Sequence, residues 1–175
     1  ANTTASYNAA FGYYALTANT TGAYNTALGH EALKTNTTGL RNTALGWGAM
    51  YKATTGDRNV AVGNYALADG TMTGDYNCAV GDNALRETTT GGSNVAVGGE
   101  ALMDLTTASY NTAVGHQSLA NNTTGDRNVA IGKGAMETNT VGDRNVAVGV
   151  GALGTYNPSS NEDSYNTAVG YNALV

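Results

Sequence analysis

The sequence predicts an all-β protein, a parallel β-solenoid (β-roll) of ten coils with a 17-residue period. The first observation is a phrase of the type Asn-Val-Ala-Val-Gly-x-x-Ala-Leu, which occurs ten times in 175 residues, from Asn8 to Asn166. The second is its spacing, which is 17 residues except for one step of 18 and one of 21. A short, fixed period is the signature of a solenoid, in which each coil contacts only its neighbours.

The third observation is which positions never vary. Ala follows the repeat Asn by two residues and Gly follows it by four in all ten copies, and Leu or Met closes each phrase. These Asn, Ala and Gly residues are the structural positions that we expect to carry the fold. In three representative coils they are Asn59, Ala61, Gly63, Asn94, Ala96, Gly98, Asn128, Ala130 and Gly132.

Each coil is predicted to contain one strand and two turns. The β-branched stretch 59–63 is typical of a strand of about five residues. Gly56 precedes it, and we expect this glycine to supply a positive φ in the first turn. The same turn is predicted at Gly22, Gly39, Gly74, Gly91, Gly125 and Gly142. After the second turn, the Ala-Leu pair opens either a short extended piece or a tight helical turn.

The two sides of the predicted strand differ from an ordinary surface strand. Val60 and Val62 point to one side, whereas Asn59, Ala61 and Gly63 point to the other, and neither side carries a charge in any copy. A strand that is covered on both faces need not alternate apolar and polar residues. We therefore expect one face to line the coil interior and the other to meet a second layer or another subunit.

The repeated Asn has two interpretations. Its amide could bond to the next coil, so that ten copies form a ladder along the stack. Alternatively, it could cap the adjacent turn within its own coil.

The whole chain, 1–175, is predicted to be a single repeat array, with insertions near 68–73 and 154–164 that loop out on one side. The repeat phase would continue from Val175 into Ala1, and neither end carries Pro, Lys or a bulge that blunts a strand edge. We therefore expect self-association, by end-to-end stacking, lateral contact or both.

Composition restricts the partners. With 8 Lys and Arg and a formal net charge of −5, the chain lacks the basic patch that nucleic-acid binding requires. No apolar run reaches the length of a membrane span, and we expect neither a membrane span nor a signal peptide before Ala1. Cys78 is the single cysteine, which we interpret as a small packed residue and not a reactive thiol.

The repeats resemble those of a known class of fibre proteins. The segments 24–29 (Tyr-Asn-Thr-Ala-Leu-Gly) and 165–174 (Tyr-Asn-Thr-Ala-Val-Gly-Tyr-Asn-Ala-Leu) look like repeats in tail-fibre-type proteins of phages and environmental bacteria. Their Asn-x-Ala-x-Gly-x-x-Ala core is also similar to the head repeats of trimeric autotransporter adhesins. The resemblance implies an extracellular or virion-surface location and makes a trimer one possible assembly.

The first position after the strand Gly is the most variable one and is expected to face solvent. It holds Tyr13, Trp47 and Tyr171, which are candidate ligand contacts, and also His30 and His116. The two histidines are five coils apart, too far to share a metal ion. No set of Ser, His and carboxylate residues recurs at a plausible site, so we expect no enzyme, no metal and no cofactor.

Asn-x-Thr sequons make glycosylation a further possibility, although Asn-Thr-Thr-Gly is equally good turn chemistry. The candidate residues are Asn2, Asn19, Asn36, Asn121 and Asn122.

The main functional prediction is a non-enzymatic structural segment of an extracellular or virion-surface fibre. One alternative is an adhesin or carbohydrate-binding module that stacks surface glycans on the variable aromatic residues. A weaker alternative is an ice-binding solenoid with a Thr-x-Thr array. The pairs available for such an array are Thr35/Thr37, Thr71/Thr73, Thr88/Thr90 and Thr138/Thr140.

Overall fold

The computed structural model describes residues 4–160 and 163–175 of the chain. Ten three-residue strands form one parallel sheet in chain order, and no helix occurs in these two ranges. The strands are β1 (Ala9–Phe11), β2 (Thr26–Leu28), β3 (Thr43–Leu45), β4 (Val60–Val62), β5 (Cys78–Val80), β6 (Val95–Val97), β7 (Thr112–Val114), β8 (Val129–Ile131), β9 (Val146–Val148) and β10 (Thr167–Val169). The predicted β-solenoid of stacked 17-residue coils is confirmed.

The register of the sheet is constant along the stack. The central Ala of each strand opposes the central Ala of the next, and this holds across the 18-residue step, where Ala61 opposes Ala79. It also holds across the 21-residue step, where Ala147 opposes Ala168. The extra residues are therefore absorbed outside the strands, and the strand face continues without interruption.

The interior of the coil is lined by small and medium apolar side chains. Ala61, Ala66 and Leu67 of the fourth coil are buried, and most of the equivalent residues of the other coils belong to the same continuous core. In the terminal coils Ala10 and Leu174 are exposed. Val60 on the opposite side of the strand points outward and is 37% exposed. The Ala side of the strand therefore faces inward, because only small side chains fit in so narrow a coil, and the β-branched side faces out.

Each strand is shorter than predicted because the flanking Asn and Gly leave the sheet geometry. The strand Gly adopts φ between +131° and +143°, as at Gly98 (φ +135°). A Cβ on Gly98 would lie 2.6 Å from the backbone carbonyl of Gly115 in the next coil. Both the backbone angle and the close approach require glycine at this position.

The glycine of the first turn has a different role from the one expected. Positive φ occurs at the residue before the repeat Asn, as at Arg58 (φ +56°), and not at Gly56. A Cβ on Gly56 would lie 2.5 Å from the carbonyl oxygen of Gly74. The prediction of positive φ was wrong, and this glycine is needed because the next coil approaches its backbone closely.

Backbone hydrogen bonds run between coils in both directions. The N–H of Leu16 donates to the carbonyl of Ala32 in the following coil (3.0 Å), whereas the N–H of Gly29 donates to Phe11 of the preceding coil (2.9 Å). The Ala-Leu segment is thus bonded to its neighbouring coils as a strand would be. The Leu of this segment has a positive φ (+53° at Leu16), so the chain turns there and the segment is not an extended strand.

The two insertions fold against the stack. In 68–73, Ala68 and Met72 are buried in the coil. In 154–164, Tyr156 packs against the core, and Pro158 lies over Gly142. Residues 161 and 162 of this segment lie outside the described residues.

Candidate functional site

The repeat Asn forms a ladder along the solenoid. Oδ1 of Asn94 accepts the backbone N–H of Asn111 in the next coil (3.0 Å), and Nδ2 of Asn94 donates to the carbonyl of Ala108 (2.9 Å). Equivalent bonds to the next Asn are made by Asn8, Asn25, Asn42, Asn59, Asn77, Asn111, Asn128 and Asn145. Of the two interpretations, the intercoil ladder is confirmed.

A second column of Asn side chains lies inside the coil, six residues before the repeat Asn. Nδ2 of Asn19 donates to the carbonyl of Gly22 within its own turn (2.9 Å), and Asn36 and Asn122 do the same with Gly39 and Gly125. Local turn capping therefore also occurs, but it is carried out by this second Asn.

The position of the second Asn column determines whether most of the predicted sequons can carry a glycan. The side chains of Asn19, Asn36 and Asn122 are completely buried and their amide nitrogens are hydrogen-bonded, so a glycan cannot be attached in the folded coil. Glycosylation at these three residues was a wrong prediction, because the amide is needed inside the turn. Asn121 is half-buried and stays a prediction, and Asn2 lies outside the described residues.

An Asp-Arg pair follows the first-turn Gly at 57–58, 126–127 and 143–144, and among the described residues these pairs make one ion pair between coils, from Arg144 to Asp163. Oδ1 of Asp126 accepts the backbone N–H of Ser109 (2.6 Å), while Arg127 places its guanidinium 5.3 Å from the ring centre of Tyr110. Arg41, Arg58 and Arg144 lie over tyrosines of adjacent coils in the same way. The Asp side chains thus cap backbone groups, and the Arg side chains make cation–π stacks at the surface.

The outward face of the sheet is an uncharged surface. We call the first and third residues of each of the ten strands the strand face. It consists of Val, Thr, Leu and Ile with one Ala, one Phe and one Cys, and it includes exposed residues such as Leu45 and Ile131. Cys78 is half-buried on this face, where it opposes Val60 and Val95 of the neighbouring strands. Its interpretation as a packed, unreactive residue stays a prediction.

The variable position after the strand Gly faces solvent, as predicted, and in the first three coils its ring-bearing residues contact one another. Tyr13 stacks on His30 (ring centres 5.3 Å apart), His30 meets Trp47 edge-on (6.3 Å), and Trp47 contacts Tyr65 (5.1 Å). Tyr14 lies against Tyr13 (4.1 Å). We call Tyr13, Tyr14, His30, Trp47 and Tyr65 the aromatic cluster.

Tyr65 joins this cluster because of a glycine in the coil before it. Tyr65 occupies the second turn position, and its ring lies over Gly48, where an added Cβ would be 2.9 Å from the ring. The Gly48 position holds Tyr14 and Glu31 in the two preceding coils. A glycine followed one period later by an aromatic residue was therefore the sequence signal for Tyr65, and the prediction missed it.

A lysine is held beside the aromatic cluster. Nζ of Lys34 donates to Oε1 of Glu31 (2.7 Å) and to the hydroxyl of Tyr51 (3.4 Å), and it lies 5.4 Å from the ring centre of Tyr14. The hydrogen bond to Glu31, followed by that to Tyr51, raises the pKa of Lys34 above its ordinary value. The pKa of Tyr13 is also raised, first by its hydrogen bond with Tyr14 and then by partial desolvation and by Glu31.

The other candidates at the variable position stand apart. Tyr171 is 78% exposed in the last coil, nine strand spacings (about 43 Å) from Tyr13. His116 is exposed on the seventh coil, where its neighbours in this position are Gly99 and Lys133. The structure therefore unites Tyr13 with Trp47 and leaves Tyr171 outside the cluster.

The Thr-x-Thr pairs do not form an exposed array. Thr35 donates to the carbonyl of Tyr51 and Thr138 to that of Gly154, while Thr88 is buried. One set of exposed threonines recurs once per coil and makes a file one residue wide: Thr21, Thr38, Thr55, Thr73, Thr90 and Thr107. The ice-binding alternative loses the array on which it was based.

Within the described ranges, no group of three or more His, Cys, Asp or Glu side chains converges as a metal site would require. The same ranges contain no helix with the length and apolarity of a membrane span. Comparison of the chain with protein-family models, curated proteins and solved structures finds no match.

Proposed function

We propose that the chain is a structural, non-enzymatic segment of an extracellular or virion-surface fibre, and that it self-associates. The observation that carries this proposal is the strand face. It is continuous over ten strands, has no charged side chain, and exposes apolar residues that nothing in a single copy covers. Exposed apolar patches of this extent are typical of interaction surfaces.

A second copy of the same face fits this surface. Ten strands with two outward residues each supply twenty side chains, close to the 20–30 residues per partner of a standard interface. The face is about 43 Å long, and the side chains recur at the strand spacing of ~4.8 Å in any copy, so their rows match. Two such sheets can pack face to face at ~10 Å.

Stacking along the axis is the second part of the proposal. β1 pairs only with β2, and β10 pairs only with β9, so each has one open edge among the described residues. Open parallel edges are templates for further strands. The extracellular or virion-surface location, and a trimer as the lateral assembly, are proposed from the resemblance of the repeats to fibre and adhesin repeats.

Light scattering and electron microscopy test the assembly. At micromolar concentration we expect elongated particles larger than the 17.8 kDa of one chain. Val97→Asp, on the strand face, should reduce their mass by placing a charge in a dry interface. Thr90→Asp, exposed in the same coil but off that face, should not. A monodisperse, compact monomer of the parent protein would contradict the whole proposal.

Labelling of Cys78 provides an independent test of the same interface. It is the single cysteine and lies half-buried on the strand face, so a thiol reagent reports on that face alone. We expect labelling to be slow in the assembled protein and fast in Val97→Asp. Equal labelling rates, with the assembly intact in the parent, would show that the copies associate through another surface.

A further inference from the structure

The aromatic cluster combines aromatic rings and fixed polar groups on one side of the first four coils. Trp47 is 52% exposed and Tyr13 is 63% exposed, although large aromatic side chains usually bury most of their surface. The cluster spans three strand spacings, about 14 Å along the axis. No comparable group occurs at this turn in the following five coils. The first turn position of those coils holds Asp82, Gly99, His116, Lys133 and Val150.

The rings are arranged to leave part of the cluster open. Tyr13 and His30 are nearly parallel (27°) and stack on each other along the axis. Trp47 is turned by 76° relative to His30, so its plane runs along the axis and not across it. Tyr65 supports Trp47 from the next coil by lying over the backbone of Gly48. The indole is thereby held by its neighbours while half of its surface stays in solvent.

Polar groups flank these rings without adding net charge. Glu31 and Lys34 neutralise each other through their 2.7 Å contact, and Lys34 also reaches the Tyr51 hydroxyl. A carboxylate, an ammonium group and tyrosine hydroxyls offer both donors and acceptors beside an apolar ring surface. This combination suits a ligand with alternating apolar faces and hydroxyl groups.

We propose that the aromatic cluster binds a neutral oligosaccharide that lies along the solenoid axis. The C–H face of a sugar ring would pack on Trp47, and its hydroxyls would hydrogen-bond to Glu31, Lys34 and the tyrosine hydroxyls. A nucleic-acid strand also stacks on aromatic rings, but it needs a positively charged groove, and this surface is balanced in a chain of net charge −5. The site is independent of the strand face, which lies on another part of the coil.

The fluorescence of Trp47 gives a direct measurement, because it is the only tryptophan of the chain. A glycan array selects ligands, and chito-, cello- and malto-oligosaccharides are titrated as soluble probes while Trp47 emission is recorded. We expect saturable binding of at least one neutral glycan with a change in emission. No retained glycan on the array would overturn the proposal.

Three substitutions locate the site. Trp47→Ala should weaken binding on the array about tenfold or more, since it removes the central stacking surface. Tyr13→Ala should also weaken it, and can be followed by Trp47 emission should Trp47→Ala fold poorly. Tyr171→Ala, at the same turn position in the isolated last coil, is the matched control and should bind as the parent does. Equal binding by all four proteins, or loss only in Tyr171→Ala, would overturn the assignment.

Discussion

Two columns of asparagine run through the interior of this solenoid, and only one of them is invariant. The repeat Asn occupies its position in all ten coils. The second Asn, six residues earlier, is present at Asn19, Asn36, Asn122 and Asn139, but the four coils between Asn36 and Asn122 carry Ala53, Met72, Thr88 and Leu105 in its place. All of these residues are buried, so burial alone does not explain which column tolerates replacement.

The hydrogen bonds explain the difference. The repeat Asn residues from Asn8 to Asn145 bond to backbone groups of the next coil, as Asn25 does by accepting the N–H of Asn42 and donating to the carbonyl of Gly39. Asn36 donates to that same carbonyl of Gly39 from within its own coil. Where the second Asn is absent, as in the coil of Ala53, the carbonyl of Gly56 still has its bond from Asn42.

The invariant side chain is the one that accepts the buried backbone N–H of the next repeat Asn, for which the second column offers no substitute. The second Asn adds a further donor to a carbonyl that is already paired, so an apolar residue of suitable size can replace it. Within the second column, Oδ1 of Asn19 accepts a hydrogen bond from Nδ2 of Asn36. Oδ1 of Asn36 has no such partner, since the next coil has Ala53 at the equivalent position.

The largest expected effect comes from the invariant glycine that ends the same strands. Gly98→Val should prevent stable folding, a loss of more than about 4 kcal/mol, because a side chain at φ +135° would meet the Gly115 carbonyl. Gly99→Val is the matched control and should cost no more than about 1 kcal/mol, since the nearest atom to an added Cβ is 3.4 Å away. Thermal melts followed by circular dichroism compare them. Equal losses of stability in the two variants would show that the fold does not require glycine at position 98.

The next effect tests the invariant Asn column directly. Asn94→Leu keeps the approximate shape of the side chain but leaves the N–H of Asn111 and the carbonyl of Ala108 without their amide partner. Each unpaired buried group costs about 1–3 kcal/mol, so we expect a loss of ~3 kcal/mol in the free energy of unfolding. Urea denaturation measures it, and a loss below ~1 kcal/mol would mean that the ladder contributes little.

The smallest effect is expected for the same substitution in the other column. Asn36→Leu removes a side chain whose Oδ1 has no partner, and the carbonyl of Gly39 keeps its bond from Asn25. The substitution does remove the hydrogen bond that Nδ2 of Asn36 donates to the buried Oδ1 of Asn19 (2.9 Å). Leu105 already fills this position in another coil. We therefore expect a loss of about 1 kcal/mol in the same urea experiment, well below that of Asn94→Leu. A loss as large as that of Asn94→Leu would remove the distinction between the two columns.

The sequence by itself determined the architecture of this protein. A constant 17-residue period with invariant Ala and Gly predicted stacked parallel coils, because only a repeated backbone path places identical small residues at identical contacts. The tolerance of the turn position, from Gly99 to Trp47, predicted that it faces solvent. The repeat also pointed to an amide ladder, although it could not separate the ladder from local capping, and the structure contains both in different columns.

Only the tertiary structure decided which groups face inward and which side chains meet. Both sides of the strand are uncharged, so the pattern could not show that the Ala61 side is interior and the Val60 side exposed. The sequon at Asn36 has the sequence of a surface turn, but its side-chain amide is buried inside the coil and hydrogen-bonded to the carbonyl of Gly39. The cluster around Trp47 depends on rings from adjacent coils and on the open backbone of Gly48, contacts separated by about one period in the chain. Such contacts are set by how the coils stack, and a pattern read within one repeat does not contain them.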